Sequence, residues 1–190
     1  MAVETEIKLP VRDLESSRAA IEREYPVRHA RTHEANVLFD SRTRRLRRKG
    51  CLVRVRQFGG DGVLTFKGRG AAGRHKQREE IELRISSSEA MSEILEKLGL
   101  APVFRYEKFR TEYAKPNEEG VITFDETPIG NFLELEGPSE WIDRVAAQLG
   151  YAESDYITAS YAGLYDDYRQ RTGTSARDML FEPKVNIGHI

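Results

Sequence analysis

The chain has 190 residues, 32% of them charged and 39% hydrophobic, with a formal net charge of −1. That length supports one full domain with its own core, and the near-neutral balance argues against a protein that binds nucleic acid along its whole surface. No apolar run approaches the roughly 20 residues of a membrane span, and the lone cysteine, Cys51, excludes an internal disulfide.

The chain opens on a charged strand. Glu4, Glu6 and Lys8 alternate with Val3, Thr5, Ile7 and Leu9. Side chains two apart in a strand share a face and lie about 7 Å from each other. Two carboxylates in a row suit a hard cation such as Mg²⁺, which takes oxygen ligands. The lysine beyond them suits a phosphate bound to that cation. A charged opening of this kind is no signal peptide, so a cytoplasmic setting is expected.

The pattern recurs along the chain. A helix is predicted over 13–24, with Leu14 and Ile21 at helical spacing and Pro26 beyond. Arg54 and Arg56 alternate with Val53 and Val55, and Thr65 and Lys67 with Leu64 and Phe66. GGDG at 59–62 reads as the hairpin turn between these strands, and GRGAAGRHK at 68–76 as a flexible basic loop. Arg78, Glu80, Glu82 and Arg84 then oppose Ile81, Leu83 and Ile85. A helix over 88–98 starts in serines, carries Met91, Ile94, Leu95 and Leu98, and stops at Gly99. Lys108, Arg110 and Glu112 oppose Phe109 and Tyr113; KPNEEG at 115–120 is a turn. Thr123 and Asp125 oppose Ile122 and Phe124, and Glu134 and Glu136 oppose Leu133 and Leu135. Helices over 139–149 and 157–171 end at Gly150 and Gly173. The first carries Trp141, Ile142, Val145 and Leu149; the second carries Tyr161, Leu164, Tyr165 and Tyr168, which read as packing residues. The division expected is a domain over 1–173 and a tail over 174–190.

Each strand alone fits an open antiparallel sheet with one face in water. Together the polar positions are Glu or Asp on some strands and Arg or Lys on others. That regularity points to an α+β fold in which the antiparallel sheet closes, with a charged interior and helices packed outside. Closure also removes exposed edges. Buried charges require pairing or ligation, and a tunnel holding metal and polyphosphate supplies both.

In motif and order the chain resembles the CYTH family, the triphosphate tunnel metalloenzymes. Glu4, Glu6 and Lys8 match the family's ExExK strand. EANVLFD at 34–40, LVRVR at 52–56, LTFKG at 64–68, REEIEL at 78–83, YEKFRTEY at 106–113 and ITFDETPIGNFLELEG at 122–137 resemble its later motifs. The resemblance implies that the closed sheet is an eight-stranded antiparallel β-barrel. It implies a divalent cation, Mg²⁺ or Mn²⁺, held by Glu4, Glu6, Glu134 and Glu136. It implies phosphate contacts from Lys8, Arg54, Arg56, Lys67, Lys108 and Arg110, with Lys76 or Arg78 closing over the substrate. Asp125, Glu80 and Glu82 are then expected to ligate a second metal or to orient the nucleophile. Any of these groups also serves as counter-ion in a salt-bridge network.

The substrate implied is a small triphosphate: ATP, tripolyphosphate or thiamine triphosphate. EKFRTEY, with no thiamine-stacking tryptophan near the chain ends, is closer to the class IV adenylyl cyclase-like branch, which converts ATP to cyclic AMP and pyrophosphate. Hydrolysis of a triphosphate is the alternative, and non-catalytic binding of polyphosphate or nucleic acid a further one. No membrane partner is expected; a homodimer is allowed for. RTRRLRRK at 42–49 reads as a solvated basic hairpin that steers anions, because it lacks the aromatics of a nucleic-acid surface. His29 and His33 read as surface residues, and Cys51 as inert.

Overall fold

Eight strands close on themselves in a computed structural model that describes residues 2–71 and 73–182. They are β1 (Ala2–Pro10), β2 (Val27–Asp40), β3 (Leu52–Phe58), β4 (Asp61–Lys67), β5 (Lys76–Ile85), β6 (Ala101–Tyr113), β7 (Val121–Thr127) and β8 (Gly130–Glu136). Around the barrel the order is β1-β5-β4-β3-β2-β6-β7-β8, and β8 pairs back with β1. Every pairing is antiparallel. The alternation read from the sequence therefore divides an interior from an exterior.

Helices cover much of the apolar exterior, while Val3 of β1 and Ile81 and Leu83 of β5 stay exposed. α1 (Leu14–Glu22) is capped by Asp13, which accepts from the Ser16 amide at 2.8 Å. α3 (Ser88–Lys97) is capped by Ser87, and α4 (Ser139–Gln148) follows β8. Ile7, Leu9, Ile122, Phe124, Leu133 and Leu135 face Ile21 of α1 and Trp141, Ile142 and Val145 of α4 in one buried cluster. Each such side chain contributes about 1.5–3 kcal/mol on burial. A smaller cluster, Phe39, Val55 and Leu95, lies under α3. α5 (Tyr161–Thr172) is capped by Ser160 and closes a third cluster of Phe104, Tyr106, Phe132, Tyr161, Tyr165 and Met179.

Five segments differ from the sequence reading. The helix expected from 157 begins only at Tyr161, where Ser160 caps it, because Ile157 is tied to Lys8 of β1 by backbone hydrogen bonds. β2 is longer than 34–40: its first half is exposed and lacks alternation, pairs with β6 alone, and is tied to β7 through Arg31, which donates to Glu126 at 2.9 and 3.0 Å. RTRRLRRK forms a short helix, α2 (Arg45–Arg48), instead of a hairpin: the buried Asp40 carboxylate accepts from the amides of Ser41, Leu46 and Arg47 at 2.7, 2.9 and 3.0 Å. The loop before β5 is anchored instead of free. Arg74 and His75 reach Asp143 of α4 at 2.6 and 2.8 Å, and the Tyr156 hydroxyl joins them at 3.1 Å. The first part of the expected tail docks on β6. Met179 is fully buried, its amide donates to the Arg105 carbonyl at 2.9 Å, and its carbonyl accepts from the Glu107 amide at 2.9 Å. Residues 183–190 of that tail lie outside the described residues.

Candidate functional site: a charged tunnel

The barrel encloses a cavity of about 540 Å³. Glu4, Glu6, Lys8, Arg54, Arg56, Lys67, Lys76, Arg78, Glu80, Glu82, Lys108, Arg110, Glu134 and Glu136 all line it. The carboxylates concentrate on one side, where Lys8 of β1 and Lys76 and Arg78 of β5 are interleaved with them. Glu80, Glu4, Glu6, Glu134 and Glu136 lie on the neighbouring strands β5, β1 and β8. Arg54, Arg56, Lys108 and Arg110 lie on β3 and β6, which flank β2 on the opposite arc.

The acidic arc is crowded. Glu6 sits directly across from Glu136, and Lys8 across from Glu134. Like charges opposite one another destabilise a sheet unless something intervenes. Lysines from the same arc supply part of that. Lys67 Nζ lies 2.5 Å from Glu4 and 2.8 Å from Glu80, Lys76 lies 2.5 Å from Glu6, and Lys8 lies 3.0 Å from Glu134. The compensation is uneven. Burial raises Glu134, but Lys8 and Arg110 outweigh it and hold the carboxyl well below its ordinary range. Glu136, open to the water of the cavity, has no ion pair among the described residues. Burial and the neighbouring Glu4 push it up to about 7 against the pull of Lys67. Burial and a hydrogen bond shared with Glu4 likewise push Glu80 up to about 8. Burial and Lys8 lower Lys76 to about 8, against Glu6.

The basic arc is held from behind. Arg54 and Arg56 each lie 3.4 Å from Glu82, which also accepts from the Thr65 hydroxyl at 2.9 Å. Lys108 lies 3.4 Å and Arg56 3.7 Å from Glu34, a buried β2 carboxylate directly across from Lys108. Burial raises Glu34, but Lys108, Arg110, Arg56 and Arg54 hold it down at about 2. The sequence reading passed over Glu34 except as part of EANVLFD, although its same-face spacing with Asn36 was readable. Of the roles open to Glu82, the structure shows the counter-ion one: it is tied to the two arginines and Thr65.

Asp125 takes the counter-ion role that the sequence also allowed it. It is fully buried and does not line the cavity. It accepts from Lys108 at 2.9 Å, from Arg110 twice at 2.6 Å, and from the Tyr161 hydroxyl at 2.5 Å. So placed, it anchors the basic arc from outside the cavity lining. Arg110 also reaches Glu134. Tyr161, taken as a packing residue in the sequence, lines the cavity as well. Helical spacing showed only the face it shares with Tyr165 and Tyr168.

Among the described residues no three carboxylates converge as a ready-made metal cage. The donor chemistry nonetheless fits a hard cation. Glu4, Glu6 and Glu136 offer carboxylate oxygens on one arc, and the charge on Glu136 lacks a counter-ion.

The fold and the cavity define a class: closed antiparallel barrels whose interior sets acidic against basic arcs. The chain belongs to the CYTH family, since residues 2–161 match the CYTH domain. A Methanocaldococcus jannaschii protein named "Putative adenylate cyclase" is 35% identical over 103 residues, 54% of this chain and 58% of that one. The chain thus matches little more than half the length of this relative. The structure of protein PH1819 from Pyrococcus horikoshii superposes with a TM-score of 0.75 at 23% identity, over 87% of this chain and 99% of that one. A "Putative adenylyl cyclase" from Hippeastrum, described as having a dominant triphosphatase activity, gives 0.64 at 16% identity, over 93% and 98%. Among the described residues no helix is long and apolar enough to cross a membrane.

Proposed function

We propose that this chain is a divalent-metal-dependent triphosphatase acting on small molecules that carry a triphosphate. The observation that carries the reading is the uneven spread of charge around one cavity: its carboxylates concentrate on β5, β1 and β8, interleaved with Lys8, Lys76 and Arg78, while β3 and β6 present Arg54, Arg56, Lys108 and Arg110. Arg54, Arg56, Lys108 and Arg110 hold phosphate oxygens, the arginines by forked hydrogen bonds and the lysine as a point charge. Glu34, Glu82 and Asp125 fix their directions. Glu4, Glu6 and Glu136 would hold Mg²⁺ or Mn²⁺, which supplies charge neutralisation at the phosphate oxygens. Glu80 shares the cavity with them and orients the attacking water. Water attacks the terminal phosphorus, the phosphoanhydride bond breaks, and orthophosphate and a diphosphate leave. Phosphoryl transfer of this kind is mostly positioning and electrostatic stabilisation, which a rigid charged barrel provides.

Recognition through phosphates and a cation serves any triphosphate, whatever it carries. That favours hydrolysis over a reaction that must also orient a ribose. The Hippeastrum protein, of like fold, supports the same reading. A second reading, cyclisation of ATP with release of pyrophosphate, is favoured by the name of the M. jannaschii relative. Incubation with ATP, tripolyphosphate and thiamine triphosphate, with Mg²⁺ or Mn²⁺, separates the two. Orthophosphate from all three supports hydrolysis; cyclic AMP and pyrophosphate from ATP alone support the second.

A further inference from the structure

Tyr161 is the first residue of α5, and the chain around it is tightly placed. Ser160 caps the helix by accepting from the Gly163 amide at 3.2 Å. Ile157 and Lys8 exchange two backbone hydrogen bonds of 2.8 and 2.9 Å, tying the approach to α5 onto β1 beside the Lys8 side chain. The phenol is therefore delivered to one spot. There its hydroxyl donates to Asp125 at 2.5 Å, and the ammonium groups of Lys8 and Lys108 each lie 5.2 Å from its ring centre. Phe132 packs edge-on at 5.9 Å and Tyr106 at 5.8 Å, which holds the ring plane.

Both ammonium groups are buried, with Lys8 3% and Lys108 1% exposed. A buried charge must be compensated on every side. Carboxylates do so on one side: Glu134 and Glu6 for Lys8, Asp125 and Glu34 for Lys108. The aromatic face does so on another. A carboxylate in place of the ring would draw off further N–H donors. The ring attracts the charge through its quadrupole and takes no strong hydrogen bond, so donors stay available to an incoming anion.

We propose that Tyr161 is a positioning residue, whose ring holds Lys8 and Lys108 together as a pair for phosphate oxygens at the α5 end of the cavity. The proposal rests on the reading of the cavity as a triphosphate site. Its hydroxyl adds rigidity through Asp125, but the ring carries the effect.

The test is the equilibrium dissociation constant for tripolyphosphate in Mg²⁺, measured by calorimetry. Tyr161→Phe keeps the ring and should bind within about threefold of wild type. Tyr161→Leu removes two desolvated cation–π contacts and should bind about tenfold more weakly. Tyr161→Met, which fills similar space without a π face, replaces it where Leu does not fold. Lys8→Met supplies the readout that a merely structural role would not move. If Tyr161 acts through Lys8, the double variant binds far less weakly than the product of the two single losses requires. Multiplying losses, or unchanged binding in the Leu and Met variants, would overturn the proposal alone. A wild-type protein that binds no tripolyphosphate would overturn both it and the functional reading beneath it.

Discussion

Asp125→Asn is the sharpest probe of how this interior is held together. The carboxylate is fully buried and receives Lys108 at 2.9 Å, Arg110 at 2.6 Å through two donors, and Tyr161 at 2.5 Å. Asparagine keeps the size but removes the charge. It also turns an NH₂ group toward donors that need an acceptor. Lys108 is then left buried with Glu34 as its remaining ion pair, at 3.4 Å. Breaking a buried pair from one side costs about 3–5 kcal/mol. For a domain of this size each kcal/mol lowers Tm by roughly 2–4 °C, so the expected drop is roughly 6–20 °C. Thermal unfolding by circular dichroism, with urea unfolding alongside, reads it. The exposed pair Arg12–Asp155, at 3.0 Å, is the control, and Arg12→Ala should cost less than about 1 kcal/mol. If Asp125→Asn is as mild as the control, the anchoring account of Asp125 is wrong.

Three further outcomes are expected. Glu6→Gln and Glu136→Gln should each abolish most turnover and the response to added Mg²⁺ or Mn²⁺ while leaving the fold intact, and metal titrations identical to wild type would contradict that. Arg56→Ala should lower kcat/KM for tripolyphosphate and ATP alike by roughly ten- to a hundredfold, since it removes a charge-assisted hydrogen bond to shared oxygens, and added salt should not restore it; a loss confined to one substrate would show a different role. Glu34, held at about 2 when folded, contributes stability present above its ordinary unfolded pKa of about 4.5 and lost as pH falls toward 2, about 3 kcal/mol in all. Glu34→Gln should therefore unfold over a shallower acid limb than wild type, and superimposable acid titrations would count against the assignment.

The closed barrel was legible because most of its strands alternate charged or polar with apolar residues, and a charged face repeated over seven runs has few places to go; the count of eight came with the family resemblance. Helix limits were legible where a side chain caps an end: Ser87 and Asp13 both accept the expected amide hydrogen bonds. What stayed hidden depends on neighbours distant in sequence. The first half of β2 has no period of its own, and only β6 makes it a strand. The 42–49 segment looks like a basic run until the Asp40 carboxylate is seen to gather its amides. Tyr161 shows helical spacing and nothing more, because its polar partner, Asp125, lies 36 positions back on another element. Asp125 itself reads like any acidic tunnel residue. Only the three donors converging on it separate an anchor from a ligand. For Glu82, too, the choice among ligand, water-orienting group and counter-ion needed the fold, since its arginine partners sit on β3.

The central claim is that this tunnel hydrolyses triphosphate with a divalent cation held by its acidic arc. Phosphorus NMR of tripolyphosphate incubated with the purified chain tests it most directly, with Mg²⁺ or Mn²⁺, with EDTA, and with Glu6→Gln in place of wild type. The account predicts that the tripolyphosphate resonances give way to pyrophosphate and orthophosphate only with wild type and metal. Tripolyphosphate left intact under every metal condition, or consumed equally in EDTA, would contradict it.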